Sequence, residues 1–166
     1  MQGVKFSALV AYFRKLATEH IEIRHSEADK HFYRFELEEI LMGLNNVKYP
    51  AMILEGYKFD YTDNKSDNPV KNRQGAFVLM DVVNDPGDYD KIHDLWDRME
   101  EIGDDILARI KADKRNPSSP VRDFDLSSVD GSLIASEIAG HYGIRFTFTI
   151  NCRYNLNVNP GRWIAS

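Results

Sequence analysis

The sequence predicts an α+β fold in two layers, a mainly antiparallel four-stranded sheet with one long helix across a face and additional helices at the N-terminus. Three observations predict it. From Asp88 to about Asp113, the residues Tyr89, Ile92, Leu95, Trp96, Met99, Ile102, Ile106, Leu107 and Ile110 recur in steps of three and four, the period of one helical face. Two stretches with strand character precede this helix, and two follow it. The four strands then form two antiparallel pairs, and the helix between the pairs lies over one face of their sheet.

The chain opens with an amphipathic helix over Val4 to about Glu19, with Phe6, Leu9, Val10, Phe13, Leu16 and Ala17 on one face. Ile21 to Arg24 alternates and suits a brief extended segment. Ser26-Glu27-Ala28-Asp29 resembles a capping box and would open a second helix through Phe32, Phe35, Ile40, Leu41 and Leu44. Gly43 and Asn45-Asn46 end it, and Tyr49-Pro50 imposes extended backbone before the next element.

Ala51 to Tyr61 changes to a strand period, with Ile53, Tyr57, Phe59 and Tyr61 on one face and Met52 and Leu54 on the other. Thr62 to Arg73 is polar and contains Pro69, so it is expected to be a mobile loop of unusual length. Gly75 to Val83 is apolar on both faces apart from Asp81, as suits a central strand.

Pro86-Gly87 breaks the chain before the long helix and Asp88 can cap it. At about 1.5 Å per residue, this helix would run roughly 39 Å, enough to cross a small sheet. Its other face carries Asp90, Asp94, Asp97, Arg98, Glu100, Asp104, Asp105 and Lys111. Asn116 to Pro120 is a linker. Val121 to Asp130 is weakly strand-like, and Leu133 to Ala139 suits either a strand or a helical turn. Gly140 to Gly143 supplies a turn. Ile144 to Tyr154 then alternates without fault, with Ile144, Phe146, Phe148, Ile150, Cys152 and Tyr154 inward. Residues 155–166 are polar with a lone Trp163 and are expected to be a loosely held tail of a single domain spanning 1–166.

Neither the long helix nor the last strand can bury its apolar face alone. Trp96, Met99, Ile106 and Ile110 are therefore expected to pack on Phe146, Phe148 or Ile150.

Bulk composition narrows the class. A chain of 166 residues, 43% hydrophobic and 28% charged, can bury a core without disulfides. The net charge of −5 argues against nucleic-acid binding by bulk electrostatics. A single cysteine excludes an internal disulfide framework and a multi-cysteine zinc site. No apolar run reaches the roughly 20 residues that span a bilayer, and the N-terminus lacks the pattern of a secretory signal. No membrane partner is expected.

Motifs that carry chemistry are nearly absent. His20, His25 and His31 match no common zinc spacing, and His93 shares a helix with Asp90 and Asp97 as an ordinary surface contact would. His141 falls within the expected turn. Asp85, Asp88 and Asp90, and again Asp123 and Asp125, lie where Asp favours turns and caps more than metal binding. Asp63 and Asp67 lack the ligand ladder of a calcium loop. Cys152 faces inward as a buried thiol rather than a nucleophile. No phosphate-binding or dinucleotide glycine pattern occurs. The expectation is a protein without catalytic residues, cofactor or metal.

One likeness adds to this. Tyr49-Pro50, a strand, a polar loop, GAFVLMDVV, the long acidic helix and the closing GIRFTFTINCRY resemble, in that order, the tail terminator or tail completion proteins of long-tailed phages and their prophage relatives. The likeness covers about Val4 to Tyr154 and rests on the order of elements. It implies a structural protein made in the bacterial cytoplasm and placed in the virion tail. Its partners would be further copies in a ring, commonly a hexamer, with the tail-tube protein and head–tail connector proteins. The long loop is compatible with a ring that projects loops toward a tube, so Asp63, Asn64, Lys65, Asp67, Lys71 and Arg73 are the candidate partner-binding residues. Ring contacts would use the free sheet edges, expected at Ala51–Tyr61 and Leu133–Ala139. Two other classes fit the residues: a small α+β interaction domain with unrelated partners, and an enzyme with a site built from Asp, His and Tyr.

Overall fold

The period-3.6 stripe folds as expected. In the computed structural model, which describes residues 4–34, 47–63, 65, 69–136 and 140–164, it forms helix α2, Tyr89–Asp113. The side chain of Asp88 caps it by accepting the Lys91 amide hydrogen at 3.2 Å. Helix α1 is Phe6–Glu19 and buries Leu9, Val10, Tyr12, Phe13, Leu16 and Ala17. The strands are β1 (Phe32–Tyr33), β2 (Ala51–Leu54), β3 (Lys58–Thr62), β4 (Val70–Val82), β5 (Phe124–Ser136) and β6 (His141–Arg153). A short 3-10 turn, Pro160–Arg162, follows.

The α+β class holds, but the sheet has six strands rather than four. It is mixed, in the order β1-β2-β4-β6-β5, with β3 also on β4. All pairs are antiparallel except β1 with β2. The central ladder pairs β4 with β6 from Val70↔Arg153 to Val82↔His141.

Helix α2 lies against one face of that ladder, and α1 packs into the same core. Phe77 and Phe146 stack with centroids 4.8 Å apart, and Phe148 stacks on Phe124 at 5.0 Å and on Phe13 at 5.7 Å. Met99, Ile106 and Ile110 join Phe146, Phe148 and Ile150 in this cluster, as expected. Trp96 sits at its margin, half-buried, edge-on to Tyr142, and its indole N–H donates to the Ile134 carbonyl at 3.1 Å. Closest approach is at Gly103, where an added Cβ would stand 2.1 Å from Phe146 Cζ. Only glycine lets the helix come this near the ring.

Several expectations are corrected. Ser26 Oγ does accept the Asp29 amide hydrogen at 3.0 Å, but the box closes a turn and not a helix. Phe32, assigned to that helix, is in β1, held parallel to β2 by Phe32↔Met52. The rest of that expected helix, over 35–46, lies outside the described residues. Ile21 to Ile23 forms a turn, not an extended piece.

Ala51–Tyr61 is not one strand. The register with β4 slips by one residue between Leu54↔Phe77 and Lys58↔Gln74, so Glu55-Gly56-Tyr57 is a bulge. A one-residue slip exchanges faces. Ile53 therefore belongs with Ala51, Val78 and Met80, while Tyr57 joins Met52 and Leu54 on the helix side.

The polar stretch Thr62 to Arg73 is partly sheet: Thr62 pairs with Val70, Lys71 to Arg73 continue β4, and Asp63 to Pro69 is the connection. β5 is one long strand where two weak segments were expected, and residues 137–139 lie outside the described set. His141, Tyr142 and Gly143 belong to β6, so the turn is confined to Gly140, whose φ is +63°. Gly143 allows β6 to lie close to β4, since a Cβ there would meet the Leu79 carbonyl oxygen at 2.2 Å.

Candidate partner-binding surfaces

Strand alternation gives the β4–β6 ladder a second face that neither helix covers. At one end this face is apolar, with Ala51, Ile53, Val78 and Met80 buried under Tyr33, Val47 and Tyr49. At the other end it is polar, with Gln74, Arg145, Thr147 and Thr149. Here the two neighbouring strands both leave the ladder. The bulge Glu55-Gly56-Tyr57 does so on one side. On the other, β5 shifts by three residues between Asp125↔Thr149 and Asp130↔Thr147.

The second irregularity follows from local chemistry. Asp125 Oδ1 accepts from the Ser127 amide at 3.0 Å and from its hydroxyl at 2.6 Å, an Asx turn that pulls the strand out of line. These bonds to Ser127 hold the Asp125 carboxyl below its usual range. Ser128 then donates its hydroxyl to the Asp125 carbonyl at 2.6 Å and accepts the Thr149 amide hydrogen at 2.8 Å, satisfying backbone that the ladder abandons.

Between the two irregularities lies an open groove of about 630 Å³. Its organising pair is Glu55 and Arg145. The Arg145 guanidinium grips the carboxylate with Nε at 3.1 Å from both oxygens and a second nitrogen at 2.6 Å from Oε2. Glu55 is only 7% exposed, so its charge depends on that fork. The pair fixes bulge to ladder and gives the groove a polar floor.

The sheet edges are the other candidate surfaces. Among the described residues β3 bonds only to β4, and all five of its residues are exposed, with Phe59 55% and Tyr61 42% exposed. On the opposite side β5 ends the strand order, and Leu133 is 60% exposed. The expected edge at Ala51–Tyr61 thus holds only for Lys58–Thr62, because β2 is covered by β1.

The six candidate binding residues are dispersed. Asp63 and Lys65 lie on the connection, where Asp63 accepts the Lys65 amide hydrogen at 2.8 Å, while Asn64 and Asp67 fall outside the described residues. Lys71 and Arg73 are in β4 on the helix-bearing face, not on a loop. The Lys71 ammonium sits 3.9 Å from the Phe59 ring centre and 5.1 Å from those of Tyr61 and Tyr154. Arg73 is buried, with a guanidinium nitrogen donating to Cys152 Sγ at 2.9 Å. Cys152 is buried, as its inward position predicts. Sequence reasoning missed both irregularities and the Glu55–Arg145 pair. Asp125-Leu126-Ser127-Ser128 was the available signal for one of them.

The histidines and other carboxylates serve local structure. His31 bridges the Pro50 carbonyl at 2.9 Å and Asp29 at 3.3 Å, and His25 Nδ1 accepts the His31 amide hydrogen at 3.2 Å. Burial pushes the His25 imidazolium to a lower pKa. His20 lies 3.4 Å from Asp105, and His93 stacks on Trp96. His141 Nε2 meets the Tyr49 hydroxyl at 2.6 Å, burial lowers the His141 pKa, and burial likewise pushes the Tyr49 hydroxyl up to about 12. Asp85 accepts the Gly87 amide hydrogen and Asp123 pairs with Arg122 at 3.2 Å. Among the described residues, no group of three or more His, Cys, Asp or Glu is placed to hold a metal ion. No helix among them is long and apolar enough to cross a membrane. No protein-family model and no curated protein matches the chain.

Proposed function

We propose that this chain is a structural assembly protein of the phage tail-terminator type, whose copies join head to tail into a ring. The observation that carries the reading is the pair of open edges on opposite sides of the sheet. β3 presents five exposed residues with two aromatic rings, and the Asp130–Ser136 run of β5 presents exposed Leu133. Edges of this kind pair with other chains unless something covers them. Two different edges on one subunit make a heterologous contact, which closes into a ring when the rotation allows. The polar groove between the irregularities is then a surface for a tube or connector partner.

Phage tails commonly have sixfold symmetry, so six copies are expected. Six subunits at −5 each carry −30, and assembly should strengthen as salt screens that charge. Light scattering and native mass spectrometry across a salt series, with and without a tail-tube protein, test the proposal. The expected outcome is a closed ring that limits tube length and is lost in Leu133→Lys. A chain that stays monomeric in every condition and leaves tube length unchanged refutes it.

A further inference from the structure

On the helix-bearing face, beyond the end of the aromatic core, β4 meets the N-terminus of α1 and the 3-10 turn near the C-terminus. A cleft of about 460 Å³ opens there. Lys5, Lys71, Arg73 and Arg162 line it beside Tyr57 and Tyr154, and among the described residues none that lines it is acidic. Four cations around one cleft contrast with a chain whose net charge is −5.

Arg73 is the unusual member. It is 3% exposed, forms no ion pair among the described residues, and its Nε is buried without a hydrogen-bond partner. Its partners are the Cys152 thiol at 2.9 Å and Tyr57, to which it is also hydrogen-bonded and whose ring centre lies 5.8 Å from the guanidinium carbon; neither is a carboxylate. A buried guanidinium is ordinarily paired with a carboxylate.

Helix α1 adds a second, independent feature. Lys5 at its N-cap gives no side-chain hydrogen bond, and no acid occupies its first turn. The leading amides of this 14-residue helix therefore keep their partial positive charge, and Lys5 and Phe6 of that turn line the cleft. Helix amides, a buried fork and flexible ammonium groups converge on one space.

We infer that this cleft binds a phosphate group, carried by a phosphate monoester. A carboxylate would be satisfied by one arginine fork, whereas four cations and a helix N-terminus suit a tetrahedral dianion with three terminal oxygens. Arg73 supplies the fixed contact, Lys5 and Arg162 close over it from the exposed side, and Tyr57 and Tyr154 offer ring faces to the organic part. Lys71, already held among Phe59, Tyr61 and Tyr154, sets the positive potential of the wall.

The test is a low-salt titration of the full chain with inorganic phosphate, AMP and adenosine, read by calorimetry and by amide chemical shifts. Phosphate and AMP should bind saturably, shifting amides of the first turn of α1, and adenosine should not. Tighter binding of AMP than of phosphate identifies a monoester whose base rests on the tyrosines. Equal affinity overturns the monoester and leaves a bare phosphate site. Lys5→Gln and Arg162→Gln, both at exposed positions, should each weaken binding by roughly threefold to tenfold. Arg73→Lys, which keeps charge but loses the fork, should weaken it by about tenfold or more. No saturable binding below about 10 mM, an affinity untouched by Lys5→Gln and Arg162→Gln, or malonate binding as tightly as AMP would each overturn the inference.

Discussion

The two faces of the β4–β6 ladder are made by the same strands, yet they do opposite work. One face lays Phe77, Phe146 and Phe148 under two helices, and each of these rings is at most 5% exposed. The other sets Gln74, Arg145, Thr147 and Thr149 around an open groove held by one ion pair. Period-two alternation sorted the side chains, and the two helices cover the larger of the two apolar clusters. The second face also buries Ala51, Ile53, Val78 and Met80 at its far end, so only its groove end is open. That open end is left to tolerate change.

The largest expected effect breaks the buried side. Phe148→Ala removes a ring stacked on Phe13 and Phe124 and should cost about 3–5 kcal/mol in denaturant unfolding. A loss below about 1 kcal/mol would mean that the two faces do not differ as described.

Next comes Gly103→Ala. Alanine raises helix propensity by about 1 kcal/mol, but its methyl would meet the Phe146 ring, which is already stacked on Phe77. Overpacking costs about 1–3 kcal/mol, so net destabilisation is expected in thermal melts. A raised Tm would show that α2 lifts off the sheet at little cost.

On the open side, Thr147→Val should change stability by no more than about 0.5 kcal/mol. Arg145→Met should cost more, about 1–2 kcal/mol, because it strands the buried Glu55 carboxylate. Equal losses in the two variants would mean that the ion pair is only a surface contact.

The smallest effect concerns pH. Burial lowers the folded-state pKa of His25 and His141 below 6.5, so the unfolded chain binds more protons in the window beneath that value. Stability is complete above pH 6.5 and declines as pH falls below it toward the lowered folded values. His141→Gln should flatten part of that decline in melts taken between about pH 7 and pH 5. An unchanged slope would remove His141 from the account.

The elements that were legible in the sequence carry uninterrupted periods. Helix α2 was bounded by Asp88 and by its own stripe, and β6 by faultless alternation from Ile144. What was not legible depends on a partner strand. The extra residue at Glu55-Gly56-Tyr57 exists only relative to β4, so the sequence pattern placed Ile53 on the wrong face. Lys71 and Arg73 look like loop because they are polar, yet their strand is held by backbone pairing to β3 and β6. Phe32 fits a helical stripe and a strand equally, and tertiary pairing with Met52 decided between them. The candidate site suffered most. Part of its polar loop proved to be sheet, and the cations credited to the loop lie on the opposite face from the groove.

The central ladder also governs how the chain can fold during synthesis. Its nearest pair, Val82↔His141, is separated by 59 residues (141 − 82), and its farthest, Val70↔Arg153, by 83 (153 − 70). β4 is thus made long before the strand that completes it. Until β6 leaves the ribosome, Phe77, Leu79 and their neighbours have only β2, β3 and the helices to shelter them. Non-local pairing of this kind slows folding and prolongs exposure of apolar strands. A nascent chain halted at Asp113 should accordingly be cleaved by protease within Val70–Val82, whereas a chain extended past Arg153 should resist. The last strand made is the one that seals the molecule.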